Sequence, residues 1–362
     1  MILKPDTYVP SLQWRQAEYQ ALLRLRVDAK DRVVPFIVVP KPEWDFEKKK
    51  LKKTVQEQVE PFPEQLKAKW GLRRAWIDIH PEIESSAMED GKLPIAHVFD
   101  ALQKLGSGAV PVTSIDASDA IRTSVAAIIQ RDGRGVGVRA RFGHVMLPDY
   151  GVSLAKLLEA LGVEAAQADL IFDLGAPQNY EPYADFADGL IAAIESVGDV
   201  AAYRSFVLIG TAYPESLNIK KPGGELQRHD WNLYGVLGSR LPASIPRPNY
   251  GDYTIVPPSF SAAIDFRKAK PAGKLIYTSG PKWLVRKGGA LNSNRAQMHD
   301  HCAHILDSGA FCGADFSDGD EFIEKCGKRT VKPTSPTRWK EIGISHHIMH
   351  VLKDLATPAA PA

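Results

Sequence analysis

A chain of 362 residues, 44% hydrophobic and 24% charged, has the balance of a globular protein with room for one large domain or two ordinary ones. A formal charge of only +2 gives a weak overall field, so nucleic acid is a possible partner that the charge does not support. Three cysteines, Cys302, Cys312 and Cys326, with no C-x-x-C among them, argue against a disulfide framework or a structural zinc site and suit a reducing compartment.

The opening Met1-Ile2-Leu3-Lys4-Pro5 has no basic segment followed by an apolar run, so a signal peptide is not expected. No apolar stretch reaches the roughly 18 to 20 residues that span a bilayer. A cytoplasmic protein without membrane attachment is the expectation.

Along the chain, a helix is expected around 12–25, ahead of a first strand at 33–39. The lysine- and glutamate-rich segment 45–60 reads as a solvated helix or excursion. Further strand-like runs fall at 74–80, 109–116, 135–141, 168–175, 205–210, 253–256 and 274–278. They are short, β-branched and nearly continuous in apolarity, as strands covered on both faces are. Between most of them lie helical repeats: 93–105, 118–130, 153–161 with Gly162 as a stop, 183–197 and 225–237. Eight strand–helix units predict an α/β fold, a (β/α)8 TIM-type barrel with an N-terminal helix and a C-terminal helical extension. An open doubly wound sheet is the alternative. It would want G-x-G-x-x-G after its first strand, where this chain has Pro40-Lys41-Pro42-Glu43-Trp44. The expected layout is one domain over 1–356, with the helix in 1–30, the barrel in 31–290, the extension in 291–356 with helices at 295–306 and 339–352, and a disordered Pro/Ala-rich tail at 357–362.

In such a barrel, active groups come from the strand C-termini and the loops beyond them. Asp78 and His80 end the second run and share a face. Asp116 ends the third, Arg139 and Arg141 the fourth, and Asp173 the fifth. Arg228, His229 and Asp230 follow the sixth, Asp252 is placed at the start of the seventh, and Tyr277 and Lys282 lie near the eighth. The candidate catalytic residues are therefore Asp78, His80, Asp116, Asp173 and His229. The candidate ligand-binding residues are Arg139, Arg141, Arg228, Asp230, Tyr277 and Lys282. Carboxylates with a histidine suit acid–base chemistry or a divalent cation, and arginines clamp phosphate or carboxylate. The structural alternatives are plain. Asp116 sits where it would cap the next helix, Arg139 and Arg141 could pair with Asp116 or Asp173, and Asp230 suits the first turn of a helix. His301 and His304, and His346, His347 and His350, share helical faces but form no H-E-x-x-H, and no metal site is assigned to them. Phe316-Ser317-Asp318-Gly319-Asp320 lacks the full calcium-loop pattern and reads as a turn launching a helix.

Several segments together resemble the beta protein family, known from bacteriophage T4 and widespread in bacterial genomes. They are Tyr8-Val9-Pro10-Ser11-Leu12-Gln13-Trp14, Tyr250-Gly251-Asp252-Tyr253, Ile276-Tyr277-Thr278 with Trp283, Phe311-Cys312-Gly313-Ala314-Asp315-Phe316, and the stretch from Trp339 to His346-His347. The resemblance runs through nearly the whole chain. It implies one domain and a phage or mobile-element context, and it transfers no activity. Three readings follow. The first is a barrel that binds or hydrolyses a phosphate-bearing ligand, a nucleotide or nucleic-acid piece, at its mouth. The second is a non-catalytic protein-recognition module in phage–host conflict. The third, a direct nucleic-acid binder, is disfavoured by the charge.

Overall fold

The structure is a computed structural model in which residues 2–258 and 271–357 are described; the end of the expected tail, 358–362, lies outside them. Eight parallel strands close a barrel: Val9–Leu12, Phe36–Val39, Trp76–Ile79, Val110–Thr113, Val136–Arg141, Ala168–Asp173, Ser205–Gly210 and Asn249–Asp252. Closure is made where Val9 lies opposite Gly251 and Pro10 opposite Asp252. The expected (β/α)8 barrel is present, with a different first and last strand.

Three expectations are corrected. The first barrel strand is Val9–Leu12, within the stretch assigned to the leading helix, which begins only at Gln16. The eighth is Asn249–Asp252, so Asp252 ends a barrel strand, and 253–256 is a turn beyond it. The run 274–278 is a strand, but outside the barrel. It belongs to Ala272–Ser279, which pairs antiparallel with Lys282–Ala290, and that strand pairs in turn with Gly223–Gln227. The expected helix over 225–237 accordingly starts at His229. The charged excursion over 45–60 is a small hairpin, Trp44–Asp45 with Lys50–Leu51, followed by a helix over Val55–Val59.

Alternation along the strands sorts their side chains into two cores. Val9, Phe36, Val38, Trp76, Val110 and Val112 fill the lumen together with Ile171, Val207, Ile209 and Tyr253. Tyr8, Leu12, Ile37, Leu208 and Tyr250 face outward into the helical layer. At the N-terminal end of the lumen, buried Asp169 accepts hydrogen bonds from Arg74 (2.5 Å), Trp76 Nε1 (2.7 Å), Ser205 Oγ (2.6 Å) and both Arg204 Nε (2.9 Å) and NH2 (2.6 Å). Two guanidiniums around one buried carboxylate satisfy its lone pairs, and this end of a barrel carries stability rather than catalysis.

The C-terminal extension comprises helices Gln297–Asp307, Asp318–Gly327 and Pro336–Ala356. Ser335 caps the last of these, its side chain accepting from Arg338 N. That helix packs on both Gln16–Arg24 and Ala272–Ser279. Arg24 Nε meets Glu341 at 2.6 Å, and Arg32 donates to the carbonyl of Leu352 at 2.7 Å. No helix of the described residues is long and apolar enough to cross a membrane.

Candidate functional site at the barrel mouth

The strand ends bring Asp78, Arg139 and Asp173 together at the C-terminal mouth. All three point inward, in register with the lumen residues Trp76, Gly137 and Ile171 two positions earlier. Arg139 NH1 donates to Asp78 Oδ2 at 2.7 Å, Nε donates to Asp173 Oδ2 at 2.9 Å, and NH2 also reaches Asp173. Tyr253, just past the eighth strand, donates its hydroxyl toward Asp173, 2.8 and 2.7 Å from the two carboxylate oxygens. The guanidinium lies 5.1 Å from the centre of the Phe36 ring, a cation–π contact. Burial alone would disfavour the charge on Arg139, but Asp173, then Tyr253 and Asp78, push its pKa well above the ordinary arginine value. Burial and Asp173 in turn push the Tyr253 phenol up.

This geometry assigns parts to the two carboxylates. Asp78 Oδ1 accepts from the Ile79 amide at 2.9 Å, and Asp173 Oδ1 from the Gly175 amide at 2.9 Å. With Arg139 on their other oxygens, both are held as acceptors around a fixed cation. They position Arg139.

The groups open to a ligand lie just outside. A small cleft is lined by Asp78, Glu84, Thr113, Ser114, Arg139 and Arg141. Arg141 shares the Arg139 face and its side chain is 36% exposed; its nearest carboxylate, Asp116, lies 3.7 Å away. His144 Nε2 is 3.4 Å from the same Asp116, and Ser114 donates to it. Burial raises the Asp116 pKa, yet the Ser114 hydrogen bond, His144 and Arg141 together bring it below the ordinary value. Burial and Asp78 push Glu84 up. Burial and Lys41 push His80 down, and its Nδ1 accepts from the Glu82 amide at 3.2 Å. The Thr113 hydroxyl is buried, lines the cleft and has no hydrogen-bond partner among the described residues.

The other expected site residues lie elsewhere. His229 is half-buried at the rim, where its Nδ1 meets the Tyr183 hydroxyl at 2.7 Å and its ring stacks on Tyr180. Arg228 and Asp230 sit outside the wall, in a buried network around Asp252. Tyr250 donates to Asp230 at 2.6 Å and also lies 2.9 Å from Asp252, Tyr8 donates to Asp252, and His347 Nε2 lies 2.9 Å from the same carboxylate. Arg228 donates to the Gly280 carbonyl at 2.9 Å and lies 3.7 Å from Asp252 and 3.8 Å from Asp354. Tyr277 is in the antiparallel sheet, donating to Asp320 at 2.7 Å and stacking on His346 at 3.7 Å. Lys282 pairs with Glu225 across two strands of that sheet at 2.7 Å. These four belong to the junction between barrel and extension, away from Arg139: Tyr277 and Lys282 because the strand near which they were placed lies outside the barrel, Arg228 and Asp230 because they open helix His229–Arg240 on the outer side of the wall.

Sequence reasoning missed Tyr253, Thr113, Glu84 and His144. Tyr253 was hidden by treating 253–256 as a strand; two residues beyond Gly251, it continues the inward face. His346, His347 and His350 each meet a carboxylate, Asp320 at 2.9 Å, Asp252 at 2.9 Å and Asp354 at 3.1 Å. Among the described residues, no group of three or more His, Cys, Asp or Glu side chains is arranged to hold a metal ion.

Fold and site together define a (β/α)8-barrel protein with a charge-lined C-terminal mouth and a second polar network bonding its outer wall to a helical extension. The Beta protein family model matches residues 8–353, and the chain belongs to that family. No curated protein matches it.

Proposed function

We propose that the mouth of the barrel binds a small phosphate-bearing molecule, with Arg141 and His144 contacting the anion and Thr113 and Glu84 contacting its polar body. The observation that carries this reading is the pairing of two arginines on one strand face. Arg139 is locked by Asp78, Asp173 and Tyr253, while Arg141 stands half-exposed beside it, with Asp116 only at 3.7 Å. A locked, desolvated cation below an accessible one favours an incoming anion, and the unpartnered Thr113 hydroxyl offers it a further hydrogen bond. Hydrolysis of the ligand would fall to His80 or Glu84, whose shifts keep the first neutral and the second protonated more readily than usual.

Isothermal titration with a panel of nucleotides and sugar phosphates tests the reading. At least one member should bind the wild type, and Arg141→Ala should weaken it by about tenfold or more, the equivalent of ~1.4 kcal/mol. A panel that never binds, or an Arg141→Ala protein that binds as tightly as wild type, refutes it.

A second reading, a protein-recognition module, draws on Phe142, Met146, Leu147 and Val152, which follow Arg141 and expose their apolar side chains. For either reading we propose a cytoplasmic protein acting in phage–host conflict, the setting the family's occurrence in bacteriophage suggests.

A further inference from the structure

The lysine-rich excursion after the second barrel strand is not absorbed by the mouth site. Its hairpin pairs Trp44 with Leu51 and Asp45 with Lys50, and the sequence Lys48-Lys49-Lys50-Leu51-Lys52-Lys53 puts five cations into six residues. An isolated two-stranded hairpin is marginal in water. Here a cross-strand apolar pair pins it, with Trp44 left 42% and Leu51 46% exposed.

At the foot of the hairpin is an open cleft of about 320 Å³. It lies over the ends of the first and second barrel strands. Four cations line it, Arg15, Lys41, Lys52 and Lys53, against a single carboxylate, Glu43. Glu43 is shared between Arg15 at 3.2 Å and Lys52 at 2.7 Å, and Lys41 pairs with Glu82. Among the described residues, Lys48, Lys49, Lys50 and Lys53 have no ion-pair partner. The stretch 43–53 thus carries five lysines against Glu43, Asp45 and Glu47, a local excess of positive charge at the hairpin and the cleft beneath it.

We propose that this hairpin and cleft bind single-stranded nucleic acid, the lysines tracking its phosphodiester backbone and Trp44 stacking on a base. Closely spaced cations beside an exposed aromatic ring is the arrangement that holds a strand without reading its sequence. A duplex hides its base faces and would leave Trp44 unused. A bilayer would need a broader apolar face than one Trp–Leu pair. The inference does not depend on what the mouth binds, since Arg141 and Arg139 do not line this cleft.

Fluorescence anisotropy with the full chain and a 5′-labelled oligo(dT) of about twenty nucleotides, longer than the largest typical site, is the test. Binding should weaken with salt, log K falling by about 0.7 per decade of salt for each phosphate contacted. Lys52→Ala/Lys53→Ala should weaken binding about tenfold or more and make that slope shallower by about 1.4. Trp44→Ala should weaken binding and leave the slope unchanged. All these positions are exposed, and an unchanged thermal melt checks that the variants fold. The proposal is overturned if the oligonucleotide does not bind, if binding is insensitive to salt, if the lysine variant binds like wild type, or if a duplex of the same length binds more tightly. Capture by phosphatidylserine vesicles without oligonucleotide binding would reassign the lysines to a membrane surface and also overturn it.

Discussion

Arg139 and Arg141 are two residues apart on one strand and have opposite energetics. Arg139 is enclosed, and its charge is tolerated because Asp78, Asp173 and Tyr253 surround it. Replacing it with alanine would leave two carboxylates facing the lumen without a cation, a loss of about 3–5 kcal/mol. Urea unfolding of Arg139→Ala should show that loss, while Arg141→Ala should unfold within about 0.5 kcal/mol of wild type. A result in which both variants are equally stable would mean that Arg139 does not hold the mouth together. His347 offers a second residue-scale test. Burial pushes its pKa below the ordinary 6.5 against the pull of Asp252. The unfolded chain then binds a proton more readily than the folded one, so this histidine's contribution is intact above about pH 6.5 and declines as pH falls below it toward the depressed folded value. Unfolding free energies from pH 8 to 5 should decline more steeply for wild type than for His347→Gln.

At the scale of elements, the six barrel strands from Phe36–Val39 to Ser205–Gly210 were legible because each is a short apolar run buried on both faces. The two strands that close the barrel were not. Val9–Leu12 contains a proline and a serine and runs almost directly into a helix. Asn249–Asp252 has no aliphatic residue at all; Tyr250 and Asp252 serve the outer network, and Gly251 faces inward. A Cβ on Gly251 would come within 2.7 Å of the Val9 carbonyl oxygen and 2.8 Å of Ile209 Cγ1. The position is a glycine because the closing strands approach too closely for any side chain, and hydropathy carries no sign of that. Gly251→Ala should therefore cost about 1–3 kcal/mol through overpacking at the seam, read as a lowered thermal midpoint. Lys274–Thr278 misled for the opposite reason. Its apolarity is that of a true strand, and its antiparallel partner is fixed by the turn at Gly280, whose φ of +55° favours glycine. The mouth was legible in part: Asp78, Arg139 and Asp173 meet as strand-end positions should, whereas the roles within that trio depend on hydrogen bonds that spacing does not encode.

For the whole molecule, the extension is bonded into the barrel wall. Helix Pro336–Ala356 supplies His347 to Asp252, His350 to the Gly280 amide at 3.0 Å, and Asp354 to the neighbourhood of Arg228. A chain ending at Ser335 should lose the sharp near-ultraviolet dichroism and cooperative melt of the full protein, because Asp252 loses His347, Arg228 loses Asp354, and the apolar faces of Gln16–Arg24 and Ala272–Ser279 are uncovered. Retention of a cooperative melt by that truncation would show that the barrel stands by itself.

The position of the closing strands in the chain has a consequence for how the protein is made. Ribosomes deliver the first strand early, yet its partner, Gly251 opposite Val9, emerges only some 240 residues later, and the histidine that satisfies Asp252 later still. At roughly 5–20 residues per second, the nascent chain spends on the order of ten seconds or more with an open sheet edge. A product that stops before Asn249 lacks the closing strand, and its seam stays open. The seam closes once Asn249–Asp252 reaches Val9–Leu12, and His347 then adds its hydrogen bond to Asp252.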